Sequence, residues 1–323
     1  MKKIAVLSIL FSMALLALTL LTLTSWHSVR ANNVPTVASV APAVSIESLP
    51  LDVPEQFIQP LEGCEDTHLQ EQLEKIVQSD KHWAELSRSK KLSIGIVDME
   101  DPFHSRFAAI NANNMVYAAS LPKIAVLLAS VDAIDKGALK ETNEVKQDMR
   151  LMIAKSNNAA TSRMIERVGI NHIANVLQDP CYDLYDEKSG GGLWVGKLYG
   201  KGGKRVGDPM KNLSHAATVA QVCKYYYMLA FGQLVNLERS RQMLNILADP
   251  ELHHKFVNVL DRVAPGAKVF RKSGTWKNWH ADSAMVWDKT RRYIVVVLAE
   301  DAGGEMILRN LMQKIDHTLV PKA

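Results

Sequence analysis

Strand patterns precede and follow a long section of this chain that has helical periodicity. Leu92–Val97 alternates as a strand would, and 105–110 is a candidate hairpin partner. Further strands are predicted at 268–275, 281–287 and 293–299. Helices are predicted at 69–86, 124–134, 145–154, 159–168, 216–231, 239–247 and 305–317. These patterns predict an α/β (α+β) fold, in which a central antiparallel sheet is flanked by helices and carries an inserted all-helical subdomain.

The N-terminus has the features of an export signal. Lys2 and Lys3 precede the almost wholly apolar stretch Ile4–Leu23, and Val29-Arg30-Ala31 supplies small residues at a cleavage position. The apolar run reaches the roughly 20 residues that can span a bilayer. We favour a cleaved signal peptide over residues 1–31, with an uncleaved inner-membrane anchor as the alternative. Either interpretation predicts a periplasmic or secreted protein.

Residues 32–60 have the composition of a flexible linker rich in Pro, Ala and Val. The segment has no helical or strand period, and its five prolines interrupt any helix. The remaining residues, 61–323, are expected to form one catalytic domain, for which a chain that is 47% hydrophobic can build a core.

Charge and cysteine content limit the partners of this chain. The net charge is +4, and Lys2, Lys3 and Arg30 account for three of those charges, so neither nucleic acid nor a membrane surface is indicated. The chain contains neither a C-x-x-C motif nor a His pair with metal spacing, and we expect no metal and no cofactor. We expect a monomer. The three cysteines Cys64, Cys181 and Cys223 allow one disulfide whose pairing stays open, and Cys223 is also a candidate core residue.

The first of three polar motifs is Ser120-Leu121-Pro122-Lys123. On a helix Ser120 and Lys123 share a face, and a proline is tolerated only in the first turn, so Ser120 should stand at the helix start. The apolar run Ile124–Ala129 predicts a buried helix. Buried near a second cation, Lys123 would lose its proton readily and could then accept the proton of Ser120. Ser120 is thus a candidate nucleophile and Lys123 its candidate base.

The second motif, Ser156-Asn157-Asn158, stands between two predicted helices. Ser156 could relay a proton to a leaving nitrogen, and the amide of Asn158 could bind a carbonyl or an amide N–H of the substrate. The competing interpretation is a pair of residues that cap the following helix.

The third motif, Lys272-Ser273-Gly274-Thr275, ends a predicted strand. Gly274 permits close approach of a ligand. Lys272 supplies positive charge and Ser273 a hydroxyl for a substrate carboxylate, and the N–H groups of Thr275 and Ser120 could form an oxyanion hole. Similar sequences at 87–90 and 188–190 lack this context, because the first is polar all round and the second lies in a glycine-rich loop.

The three motifs, in this order, resemble the S-x-x-K, S-x-N and K-S/T-G set of class A β-lactamases and their penicillin-binding relatives. The resemblance covers roughly residues 65–320. It implies a β-lactamase-like serine hydrolase with Ser120 as the acylated nucleophile, Lys123 as general base and Ser156 as proton shuttle. It implies that the substrate is held by Asn158, Lys272, Ser273, Gly274 and Thr275.

The chain departs from that family in the omega loop. Class A enzymes carry E-x-x-L-N there, and its Glu activates the deacylating water, whereas residues from about 179 to 207 contain no such match. Asp186 and Glu187 are candidates, although a surface position is favoured for both. Ser120 and Ser156 are also only 36 residues apart, a short connection that predicts a wider cleft.

Three functions are therefore open. The leading hypothesis is a secreted serine hydrolase of the class A β-lactamase type, which hydrolyses β-lactam amides through an acyl-Ser120 intermediate. The first alternative is a D-alanyl-peptidase of the cell wall, or another amide or ester hydrolase of the penicillin-binding type. The second is a sensor that binds a β-lactam or a muropeptide covalently without turnover, which the missing Glu favours.

Overall fold

A five-stranded antiparallel sheet, in the order β2-β1-β10-β9-β8, forms the centre of the fold. The computed structural model describes residues 48–51, 53–200 and 202–320. The strands of these residues are β1 (Leu92–Asp98), β2 (Arg106–Ile110), β3 (Val116–Tyr117), β4 (Tyr185–Asp186), β5 (Gly191–Gly192), β6 (Trp194–Val195), β7 (His215–Ala217), β8 (Lys268–Trp276), β9 (Trp279–Trp287) and β10 (Arg292–Glu300). The short strands β3, β7 and β6 form a second sheet.

Helices cover both faces of the central sheet. They are α1 (Thr67–Gln78), α2 (Lys81–Arg88), α3 (Lys123–Asp135), α4 (Asn143–Ala154), α5 (Asn158–Val168), α6 (Ile170–Leu177), α7 (Val219–Ala230), α8 (Leu237–Leu247), α9 (Phe256–Val263) and α10 (Gly304–Leu319). Helices α3 to α8 contribute to one apolar core with one face of the sheet, and α1, α2, α9 and α10 to another with the opposite face. The predicted α+β architecture is confirmed.

Alternation in β10 distributes its side chains between the two cores. Ile294, Val296 and Leu298 enter the core with α3, whereas Val295 and Val297 enter the core with α10. A strand covered on both faces is apolar almost throughout, which is why β10 reads as a continuous run in the sequence. Helix α3 is likewise buried from Lys123 through Ile134, as its apolar sequence predicts.

Two helix boundaries differ from the sequence prediction. The stretch 69–86 is two helices, because the carboxylate of Asp80 accepts the N–H groups of His82 and Trp83 and starts α2. The stretch 216–231 becomes helical only at Val219, where the Thr218 hydroxyl caps α7, and the preceding residues pair with β3 instead. Apolar periodicity alone does not separate a short buried strand from the helix that follows it.

The described end of the predicted linker packs against the domain. Val53 is buried, the ring of Phe57 meets that of Phe103 edge to face, and the carbonyl of Gln59 accepts a hydrogen bond from the hydroxyl of Tyr227 at 2.9 Å. The predicted signal peptide and the predicted linker up to residue 47 lie outside the described residues. Among the described residues, none of the helices has the length and apolar character needed to cross a membrane.

All three cysteines are free thiols. Cys223 is fully buried on α7, and its sulfur packs beside Gly95 of β1, as expected for a small core residue. Cys64 is buried near the Tyr227 hydroxyl, whereas Cys181 is exposed. The disulfide that the sequence allowed is therefore not formed, because two of the thiols are enclosed in separate packing contacts.

A buried ion pair joins β8 and β9. Arg271 and Asp282 are almost inaccessible and make two hydrogen bonds of 2.7 and 2.8 Å. Asp282→Ala should lower the free energy of unfolding by about 3–5 kcal/mol, because it leaves an uncompensated buried guanidinium. Urea denaturation measures this loss. Glu85→Ala, which removes the exposed partner of Arg88, is the control and should change stability by less than about 1 kcal/mol. Equal losses in the two variants would contradict the prediction.

Candidate active site

Ser120 lies in a tight turn between β3 and α3. The Leu121 N–H donates to the Ala118 carbonyl at 3.1 Å, and the Lys123 N–H to the Ser120 carbonyl at 3.3 Å. Regular helix begins at Lys123, so Ser120 stands just before the helix start. Ala119 has φ of 51°, a left-handed conformation that costs an L-residue about 1–2 kcal/mol. The hydroxyl of Tyr199 donates to the Ala119 carbonyl at 3.2 Å and supports this strained turn.

Lys123 is fully buried on the first turn of α3. Its ammonium donates to the Ser156 carbonyl at 2.6 Å and to the Asn158 side-chain oxygen at 2.8 Å, and it lies 4.6 Å from the ring centre of Tyr199. These are neutral partners, so burial dominates and lowers the pKa of Lys123 to about 7. A large fraction of Lys123 is therefore a neutral amine near neutral pH.

The hydroxyl of Ser156 connects the two motif lysines. It accepts from the Lys123 ammonium at 3.4 Å and from the Lys272 ammonium at 3.0 Å. Burial and the nearby charge of Lys123 hold the pKa of Lys272 well below its usual value. Ser156 itself has φ of 54°, in the short connection between α4 and α5. Lys272 is thus a second basic group at Ser156, although burial is the cause of the lowered pKa of Lys123.

The side chains of Asn157 and Asn158 in the second motif make different contacts. Asn157 caps α5, since its side-chain oxygen accepts the N–H of Ala160 at 2.8 Å. Asn158 begins α5 and directs its side-chain oxygen to Lys123. The capping interpretation therefore applies to Asn157, and the substrate-binding role of Asn158 stays a prediction.

The edge strand β8 brings the third motif against the Ser120 turn. A Cβ atom on Gly274 would lie 2.7 Å from the backbone nitrogen of Ser120 and 2.8 Å from that of Leu121. Only a glycine fits at this distance, because the opposing atoms are backbone and cannot rotate away. Gly274 therefore permits close approach of a backbone of this chain, where the sequence suggested close approach of a ligand.

A cavity of about 540 Å³ opens beside Ser120. Of the predicted site residues, Ser120, Asn158 and Thr275 line it. Lys272 and Ser273 are buried behind this surface, where the Ser273 hydroxyl lies 3.3 Å from His254. The remaining lining residues are Tyr117, Ala119, Lys197, Leu198, Tyr199, Gly200, Gly202, Ser214, His215 and Trp276.

No carboxylate is among the described residues that line this cavity. Glu187 is exposed on a separate short turn, and Asp186 accepts hydrogen bonds from Lys188 and Ser189 of that turn. Tyr199 and His215 stack in the cavity wall with ring centres 4.1 Å apart, and burial lowers the pKa of His215 to about 4. Across the described ranges, no three His, Cys, Asp or Glu side chains come together in a way that could hold a metal ion.

Sequence reasoning missed Tyr199, His215 and Lys255. Tyr199 stands in a glycine-rich stretch without periodicity, and His215 begins a three-residue strand. Lys255 precedes α9, and its buried ammonium bonds the Gly274 carbonyl at 2.6 Å. No local pattern marks these residues, since tertiary packing alone brings them to the site.

The fold is that of a β-lactamase-like protein. The model of the beta-lactamase enzyme family matches residues 141–320, which is more than half of the chain. The chain therefore belongs to the beta-lactamase enzyme family. Among curated proteins, no sequence matches the chain significantly.

Solved structures of this fold superpose on most of the chain. A β-lactamase from Sphaerobacter thermophilus DSM 20745 is 17% identical, with a TM-score of 0.61, over 78% of this chain and 99% of that one. PBP-A is 17% identical, with a TM-score of 0.59, over 79% and 96%. A class A β-lactamase of the last common ancestor of Gram-negative bacteria is 14% identical, with a TM-score of 0.59, over 76% and 98%. At these identities the likeness concerns the fold.

Acylation should depend on the ionisation of Lys123. If neutral Lys123 is the base, the rate constant for acylation by a β-lactam should fall as pH decreases through about 7, because the ammonium form cannot accept a proton. Stopped-flow measurements with a chromogenic cephalosporin between pH 5 and 9 give this profile. A rate that is unchanged from pH 8 to pH 5.5 would contradict the assignment of the base.

Gly274→Ala should separate β8 from the Ser120 turn. The added methyl would collide with backbone atoms of Ser120 and Leu121, and the rate of acylation should fall by about 10²-fold or more because the reacting groups are displaced. Gly266→Ala is the matched control, since a Cβ atom there meets no atom within 4 Å, and it should leave the rate unchanged. Equal rates in the two variants would refute the importance of the contact.

Proposed function

We propose that this protein is an exported serine acyl-transfer enzyme, which opens the amide of a β-lactam or a related cell-wall peptide through an acyl-Ser120 intermediate. The observation that carries the proposal is the buried Lys123 amine beside the Ser120 turn, with a pKa of about 7 and no acidic partner among its hydrogen bonds. A structural lysine would be expected to retain its proton or to pair with a carboxylate. Export through residues 1–31 is part of the proposal.

The first step is acylation of Ser120. Neutral Lys123 accepts the hydroxyl proton while the Ser120 oxygen bonds to the substrate carbonyl carbon. The N–H groups of Ser120 and Thr275 stabilise the resulting oxyanion. When the carbon–nitrogen bond breaks, the leaving nitrogen takes the proton of the Ser156 hydroxyl, which is replaced from the Lys123 ammonium. Proton and charge therefore balance within the three side chains.

The cavity and its surroundings suit an anionic substrate. Lys197 lines the wall, and no carboxylate lines the cavity among the described residues. Asn158 and Thr275 present polar groups at the surface, so they are the proposed direct contacts. Lys272 and Ser273 act from behind that surface, Lys272 through its hydrogen bond to the Ser156 hydroxyl.

Slow release of the acyl group is the second part of the proposal. A deacylating water needs a base, and the cavity wall facing Lys123 presents the ring of Tyr199 instead of a carboxylate. Acylation would then outrun hydrolysis, and the enzyme would behave as a penicillin-binding peptidase or sensor. A mutant of PBP-A, a structural neighbour, has been solved as an acyl-enzyme complex with penicillin G.

A turning-over β-lactamase is the second candidate. Its support is again Lys123, because an amine with a pKa of about 7 can activate water after acylation as well as Ser120 before it. The two candidates share every step up to the acyl-enzyme. They differ only in the lifetime of the ester on Ser120.

Mass spectrometry of the intact protein tests the proposal. Residues 32–323 mixed with penicillin G should gain the mass of one drug molecule, and the adduct should persist after free drug is removed. Ser120→Ala should form no adduct, because it lacks the attacking oxygen. Ser89→Ala, in the similar sequence at 87–90, is the matched control and should label normally, since Ser89 bonds backbone carbonyls at the end of α2.

The outcomes separate the candidates. A transient adduct together with accumulating hydrolysed penicillin would establish the β-lactamase instead of the slow-release enzyme. An adduct on Ser120→Ala would refute the assignment of Ser120 as the nucleophile. The absence of both adduct and drug loss would refute β-lactam acylation altogether.

A further inference from the structure

Lys255 is a buried cation behind the motif strand. Its ammonium donates to three oxygens: the Gly274 carbonyl at 2.6 Å, the Thr275 hydroxyl at 2.9 Å and the Ala281 carbonyl at 3.0 Å. The side chain is fully buried. Since a buried ammonium is costly unless it is well hydrogen-bonded, three acceptors on β8 and β9 account for its stability there. The catalytic steps described above do not use Lys255.

The backbone around Lys255 is held in an unfavourable conformation. Its φ is 53°, in the left-handed region that lysine rarely adopts. Arg271 donates to the carbonyls of Leu252 and His254 on one side, and Asp282 accepts the N–H of Phe256 on the other. A strained residue that the surrounding structure fixes in this way commonly marks a functional position.

The Gly274 carbonyl belongs to the same peptide group as the Thr275 N–H. Along a strand, the carbonyl and the N–H of one peptide group point in opposite directions. Lys255 bonds the carbonyls of both Gly274 and Ala281, which are paired across β8 and β9, so the Gly274 carbonyl points toward β9. The Thr275 N–H therefore points to the free edge of β8, and Thr275 and Ser120 line the same cavity.

We propose that Lys255 is a positioning residue that polarises the Gly274–Thr275 peptide group and so strengthens the Thr275 N–H as an oxyanion donor. This inference rests on the proposed acylation of Ser120. A charged donor on a carbonyl increases the positive partial charge on the N–H of the same amide, because hydrogen bonds in a chain polarise one another. The hydrogen bond from the Lys255 ammonium to the Thr275 hydroxyl also fixes the side-chain rotamer of Thr275.

The charge of Lys255 persists at neutral pH. Burial lowers its pKa to about 8, and the nearby carboxylate of Asp282 opposes this effect. The polarising effect should therefore weaken as pH rises through about 8, where the ammonium loses its proton. The titratable and charged groups that face Lys255 are Arg271 and Lys272 on β8, His280 and Asp282 on β9, the preceding His254, and Glu305 on α10.

Infrared spectroscopy of the acyl-enzyme tests this inference. The protein is acylated with penicillin G labelled with ¹³C at the lactam carbonyl, and the stretching frequency of the ester is recorded. Lys255→Met keeps the length of the side chain but removes its charge. It should shift the ester stretch to higher frequency and slow acylation by roughly 10-fold or more, short of the ~10²–10³-fold cost of removing an oxyanion donor. Noncovalent affinity for the drug should change little.

Lys224→Met is the matched control, because Lys224 pairs with Glu62 and Asp183 and does not line the Ser120 cavity. It should leave the stretch and the rate unchanged. An unshifted stretch in Lys255→Met would overturn the inference. If that variant does not fold, the unmodified acyl-enzyme is titrated from pH 6 to 10, and the lack of an upward shift near pH 8 would overturn it. Failure of the unmodified protein to acylate would refute the proposed function instead.

Discussion

The contact between strand β8 and the Ser120 turn is the constraint on which the site depends. At Gly274 the two backbones are so close that a methyl group would collide with the nitrogen of Ser120. This contact joins an edge of the central sheet to the start of the most deeply buried helix, α3. It thereby brings Lys272, from the C-terminal half of the chain, within hydrogen-bond distance of the Ser156 hydroxyl. The same hydroxyl accepts a hydrogen bond from Lys123.

Two buried lysine side chains, Lys123 and Lys272, share one hydroxyl as a hydrogen-bond partner. Neither Lys123 nor Lys272 has a carboxylate partner in its hydrogen bonds; carbonyl, amide and hydroxyl oxygens accept instead. Burial and mutual repulsion therefore favour the loss of a proton from this pair, which is what a base needs. The same absence of a carboxylate is the ground on which slow release of the acyl group is proposed.

Residues with a local signal were predictable from the sequence, and those fixed by tertiary contacts were not. The strands of the central sheet are recognisable because their apolar residues alternate. The motifs are recognisable from local features such as a proline that follows a serine and a glycine at a strand end. The position of Lys272 behind the cavity surface depends on how β8 packs. Tyr199 and Lys255 carry no pattern at all, because their roles come from contacts with Ala119 and Gly274, which lie far away in the sequence.

The placement of α3 has a consequence for how the protein matures. Ser120 precedes a core helix, whereas Lys272 of β8 follows more than a hundred residues later in the chain. A growing or truncated chain that lacks β8 has the Ser120 turn without its opposing strand, without Lys272 and without the proposed oxyanion donor Thr275. The reactivity proposed for Ser120 would therefore be acquired only when β8 has docked. The proposed site is complete only in the folded domain, since an unfinished chain contains Ser120 without the strand that opposes it.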